Sequence, residues 1–113
     1  MNNKIYSVTK VFNSSSYLWV HNREFNEGTV KNSLDYCYAL LEMKGYLFLN
    51  KVYWKLGLPL TKEGQTSGWV YNDIDKIDNL WTIWHKNDDE FDVHITFEPL
   101  ENILDALPSE EEL

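Results

Sequence analysis

An α+β fold is what this chain of 113 residues predicts: one compact domain with an antiparallel sheet of about four to six strands, packed by a long helix over residues 29–44 and a short one over 51–56. Three observations carry that expectation. Val30, Leu34, Cys37, Tyr38 and Leu41 recur at the spacing of one helix face. Several short runs rich in β-branched and aromatic residues are separated by polar turn signals. Between them, residues 45–59 (GYLFLNKVYWKLGLP) combine a buried strand, a capped helix and a hard stop.

A chain of this length fits one domain and buries roughly two thirds of the surface its unfolded form exposes. Hydrophobic residues make up 43% and aromatics 15%, which excludes disorder and predicts an aromatic-rich core or binding face. The lone Cys37 cannot form an internal disulfide, and its apolar helical setting predicts a buried, inert thiol. Residues 1–10 lack the apolar core of a signal peptide, and no apolar run approaches the ~18 residues needed to cross a bilayer. A soluble protein of the host cytoplasm, with no membrane partner, is therefore expected.

In chain order, residues 5–12 read as a first strand, with a short helix as the alternative, and residues 13–16 as a polar turn. Residues 17–20 read as a strand or a helical turn, and 21–28 as a loop. Thr29 is placed to cap the long helix, on which a second stripe of Tyr36, Leu40 and Met43 predicts that both flanks are covered; Gly45 ends it. Residues 46–49 have strand length, Asn50 is a cap candidate for the short helix, and Gly57 and Pro59 stop that helix. Residues 61–68 read as an exposed turn before a strand at 69–71.

Residues 80–85 and 91–97 are two further strands joined by a five-residue loop, KNDDE. Pairing His85 with Phe91 sets Ile83 against Val93 and Trp81 against Ile95, an apolar face, and leaves Thr82 and Trp84 beside Asp92, His94 and Thr96. A tryptophan among polar side chains marks a contact surface unless another segment covers it. After Pro99, Leu100, Ile103, Leu104 and Leu107 predict a short docked helix, and residues 108–113 a mobile acidic tail.

The net charge of −8 is unevenly divided. Residues 1–72 carry eight Lys and Arg against five acids, a balance of +3; residues 73–113 carry two Lys against thirteen acids, a balance of −11. So acidic a segment repels phosphate backbones and attracts basic surfaces. Direct nucleic-acid binding is not expected; a protein partner with a basic surface is. Asp73, Asp75, Asp78, Asp88, Asp89, Glu90 and Asp92 are the candidate contact residues, with Trp84 as an apolar anchor.

Little points to catalysis. His85 and His94 lie among the acids of the hairpin, but in this register their side chains face opposite ways, and neither belongs to a metal-ligand motif. His21 has no accompanying nucleophile, and the chain contains no GxSxG, phosphate-loop, HExxH or GxGxxG pattern. A non-enzymatic protein without cofactor or metal is expected.

Residues 45–71, GYLFLNKVYWKLGLPLTKEGQTSGWVY, resemble the GhxFLNEVYxxLGhPxTKxGQxxGWxY pattern (h, apolar) of a poorly characterised family of small phage and prophage proteins. VFNSSSYLW, NSLDYCYALLEMKG and FDVHITFEPLENIL are similar to its flanking blocks, so the resemblance covers most of residues 11–104. It implies a viral origin and one α+β domain, with no established activity and no catalytic residues. Family members often follow membrane-spanning segments; the present chain departs in having none, in carrying Lys51 where an acid is usual, and in its acidic tail. These departures suggest a standalone, repurposed version. The expected function is a phage inhibitor that occupies the basic surface of a host defence nuclease by nucleic-acid mimicry, as some anti-CRISPR proteins do. The alternative is a structural or accessory phage protein acting by self-association, such as a homodimer.

Overall fold

The computed structural model describes residues 4–71, 80–86 and 90–107. Five strands and two helices run in the order β1 (Val8–Phe12), α1 (Arg23–Lys44), β2 (Tyr46–Phe48), α2 (Leu49–Lys55), β3 (Gly68–Val70), β4 (Trp81–Trp84) and β5 (Val93–Phe97). The α+β expectation holds, and the strands fall within the expected number. They are divided between two antiparallel sheets, β1-β5-β4 and β2-β3. Leu100 ties the sheets' surroundings together, since its N–H and C=O exchange hydrogen bonds with Gly68 at 2.8 and 3.1 Å.

The long helix begins six residues before the expected start at residue 29. Asn22, not Thr29, caps it: its side-chain oxygen accepts from the Phe25 N–H at 2.9 Å. The stretch that reads as a polar loop is the helix's first turns, and its inward residue is polar. Asn26 is fully buried, accepts from the Val20 N–H (3.0 Å) and donates to the carbonyls of Val20 (2.7 Å) and Phe91 (2.9 Å). With these bonds made, a carboxamide sits in the core without the penalty of an unpaired polar group, about 1–3 kcal/mol. Val30, Leu34, Cys37 and Leu41 continue the same buried face to Gly45, which closes the helix at φ 86°.

The short helix departs in a different way. It runs Leu49–Lys55 with Phe48 as its cap residue, and Asn50 does not cap it. The Asn50 carboxamide instead bonds Thr61 at both backbone groups, accepting from its N–H and donating to its C=O, each at 2.9 Å. The segment after it is more enclosed than its composition suggests. A 3-10 turn at Glu63–Gln65 leads to Ser67, which is buried, donates to the Glu101 carbonyl and accepts from the Tyr6 hydroxyl.

The expected strand partners meet with a register two residues from that expected. Trp81 faces Phe97, Ile83 faces Ile95 and Trp84 faces His94. A shift of two preserves the faces, so Trp81 and Ile83 share the side of Val93, Ile95 and Phe97 as expected. What changes is the connection, which lengthens to residues 85–92 because Phe91 and Asp92 are drawn toward Trp19. Residues 17–18 form a turn and residues 19–20 are irregular, so no strand forms there, and residues 100–107 are not a docked α-helix. Leu100 is held extended against Gly68, the Ile103 N–H bonds the Thr66 carbonyl at 2.9 Å, and a 3-10 turn, Leu104–Ala106, follows.

The core lies where the helices meet both sheets. Trp69 of β3 is fully buried, stands edge-on to Trp81 of β4 (ring centroids 5.3 Å apart) and touches Phe97 of β5 (6.4 Å). Phe97 also stands edge-on to Tyr53 of α2 at 5.7 Å. Edge-to-face contacts of this kind add about 0.5–1.5 kcal/mol each beyond area burial.

Candidate functional site

Of the acidic candidates, Asp73, Asp75, Asp78, Asp88 and Asp89 lie outside the described residues, as does the tail 108–113. Along the chain, residues 73–78 precede β4, and residues 85–92 follow it. β4 is an edge strand of its sheet.

The described candidates differ from one another. Glu90 is exposed. Asp92 is half-buried and accepts a 3.1 Å hydrogen bond from the Trp19 indole N–H. Trp84 is also half-buried; its ring stacks on His94 (4.4 Å between centroids, 30° between planes) and its indole N–H donates to the Thr96 hydroxyl at 2.9 Å. Asp92 and Trp84 thus have structural duties, and Glu90 is the one of the three whose side chain is exposed to a partner.

His85 and Phe91 meet the start of α1 through Glu27 and Asn26, and Asp92 meets Trp19 just before it. Trp19, His21 and Phe91 form an edge-to-face triad with centroids 4.7–6.0 Å apart. His85 lies 3.0 Å from a Glu27 carboxylate oxygen through Nε2 and 3.2 Å from the Asp92 carbonyl through Nδ1, and Arg23 lies 3.4 Å from the same carboxylate oxygen of Glu27. His94 lies against Trp84 on the sheet's other face, so the two imidazoles are apart. Among the described residues, no three His, Cys, Asp or Glu side chains gather as a metal-ligand group.

A second surface was misread from sequence. The stripe of Tyr36, Leu40 and Met43 is not covered: Tyr36 is 47% and Met43 76% exposed, and Leu40 is half-buried. It forms the wall of two hollows instead. One, of about 350 Å³, lies between α1, Tyr17, Leu18 and the end of α2; the other, of about 230 Å³, lies between Leu40, Lys44, β2 and Lys51. Ammonium groups sit over the exposed rings, Lys55 4.5 Å from Tyr36 and Lys51 4.5 Å from Trp54. The signal available in the sequence was a helix apolar on more than one face; among the described residues, no element buries the second.

Cys37 is buried as expected. Burial pushes its thiol up from 9.0 to about 11, against the opposing pull of Lys55 and Lys51, and a thiol so placed is not a nucleophile at neutral pH. No helix among the described residues is long and apolar enough to cross a membrane.

Neither the curated proteins nor the solved structures contain a match to this chain. A family profile does match it, over residues 2–107, which is nearly its whole length, and the chain therefore belongs to DUF6353, a family of unknown function.

Proposed function

We propose that this protein is a non-enzymatic, phage-encoded binding protein whose acidic C-terminal part occupies the basic, nucleic-acid-binding surface of a host defence protein. Anti-CRISPR proteins exemplify the mode. The observation that supports the reading is the division of charge, −11 over residues 73–113 against +3 over residues 1–72. Along the chain, Asp73, Asp75 and Asp78 precede β4, and Asp88, Asp89 and Glu90 follow it. Carboxylates at that density along the chain can substitute for a run of phosphates, steering a basic partner into contact at a rate that falls with salt.

The test is capture from bacterial lysate on the immobilised full chain, at low and high salt. Two variants accompany it, Asp73→Asn/Asp75→Asn/Asp78→Asn and Asp88→Asn/Asp89→Asn/Glu90→Gln. A basic nucleic-acid-binding protein is expected at low salt, with each variant weakening its recovery about tenfold, the loss of roughly 1.4 kcal/mol. Capture that is indifferent to salt and to both variants overturns the reading.

Self-association is the second reading, favoured by the exposed Tyr17, Phe25 and Met43. It predicts a mass that rises with concentration in light scattering and no basic partner.

A further inference from the structure

We propose that the cleft between α1, the turn at Tyr17 and Leu18, and the end of α2 is a binding site for a short neutral saccharide of one or two pyranose rings. This goes beyond the acidic surface and uses none of its residues.

The argument begins with one row of α1. Thr29, Asn32, Ser33 and Tyr36 recur at i, i+3, i+4 and i+7, so their hydrogen-bonding groups line one side of the helix next to the buried row of Val30, Leu34 and Cys37. Ser33 lines the cleft and is 6% exposed. The side chains of Thr29, Asn32 and Ser33 offer hydrogen-bonding groups to a ligand in the cleft.

The walls are aromatic and held in place. Tyr17 is 83% and Trp54 59% exposed. The Ser16 hydroxyl donates to the Leu56 carbonyl at 2.7 Å and accepts from the Leu18 N–H at 3.2 Å, which fixes the Tyr17 turn to the end of α2. The Tyr17 ring lies over Gly57, whose φ of 70° and missing side chain leave room for it; a Cβ there would stand 3.1 Å from the ring. Aromatic faces set beforehand around a polar floor suit a pyranose, which offers C–H groups on its faces and hydroxyls around its rim. The cleft volume of about 350 Å³ is at the small end for ligand sites and admits one or two such rings.

Charge decides against a phosphorylated ligand. Lys55 is the one ammonium in the lining; it already sits over the Tyr36 ring, and the chain's net charge of −8 opposes polyanions.

The test is a titration of the isotope-labelled full chain by NMR with cellobiose, maltose and N,N′-diacetylchitobiose as probes, and adenosine monophosphate and a dT oligonucleotide as competitors. At least one disaccharide is expected to shift the amides of α1 between Thr29 and Tyr36 together with the Trp54 indole. Trp54→Ala and Asn32→Ala are each expected to weaken binding about tenfold with unchanged melting temperature. Neutralising Asp88, Asp89 and Glu90 is expected to leave the sugar response intact, which separates failure of this proposal from failure of the acidic surface. The proposal is overturned if no disaccharide at about 20 mM, well above a millimolar Kd, perturbs those resonances, or if a phosphorylated probe binds there more tightly than every sugar.

Discussion

Asn50 carries more of the fold than its single side chain suggests. By bonding both backbone groups of Thr61 it replaces a length of β-ladder and folds residues 56–61 back onto α2. Gly64 sits so close that a Cβ there would overlap the Asn50 carboxamide. Replacing Asn50 by Ala leaves two backbone groups unpaired and is expected to cost about 2–4 kcal/mol, read as a lower urea midpoint at unchanged slope; Gly64→Ala is expected to act in the same direction. The sequence marked Asn50 as important for the wrong reason. Capping a helix and clamping a loop use the same carboxamide, and only the distant partner tells them apart. Cys37, by contrast, was legible, because its neighbours in the helix declare its burial. Burial raises both it and the Tyr53 hydroxyl, which the nearby Tyr6 and Glu63 raise further. Each therefore stays protonated in the folded chain at a pH where the unfolded chain releases its proton. The stability that Cys37 contributes is complete below pH 9.0 and is lost as pH rises toward 11, while that of Tyr53 is complete below pH 10.0 and is lost as pH rises above it. The expected slope is about 1.4 kcal/mol per pH unit for each group, measured by chemical denaturation across that window, and Cys37→Ala is expected to remove its onset.

At the scale of elements, the start of α1 and the β4–β5 connection form one unit. Asn22 caps the helix, Asn26 bonds Val20 and Phe91, and His85 meets Glu27. Exposed Asn22→Ala is expected to cost about 1 kcal/mol, whereas buried Asn26→Leu orphans three backbone groups and is expected to cost about 3–5 kcal/mol. Hydrogen exchange adds a spatial check: Asn26→Leu is expected to lower protection at Phe91 and Val20, far apart in the chain. This unit is where pattern reading failed, since a buried Asn looks like loop composition, and no periodicity reports a bond 65 residues away. The hairpin failed more mildly. Alternation fixes which side chains share a face, but it is blind to a slip of two, and the slip was decided by the pull of Trp19 on Asp92 and Phe91.

Over the whole molecule, the aromatic junction of Tyr53, Trp69, Trp81 and Phe97 joins two sheets and a helix, and function is left to the surfaces around it. The division of charge between the halves was legible because charge is additive along the chain. The cleft was not, because a widened apolar stripe looks the same whether another element covers it or a ligand does. The two surfaces separate by residue range, 17–55 for the cleft and 73–92 for the carboxylates, so variants in one are expected to leave binding at the other unchanged.

The central proposal is that the carboxylates of residues 73–92 take the place of phosphates. Its most direct measurement is equilibrium competition on the purified partner between this protein and a duplex DNA, repeated across a salt series. Mutually exclusive binding, weakening with salt and lost when Asp88, Asp89 and Glu90 are neutralised, is the result the account predicts. A ternary complex in which DNA and this protein bind the partner together, at any salt, would contradict it.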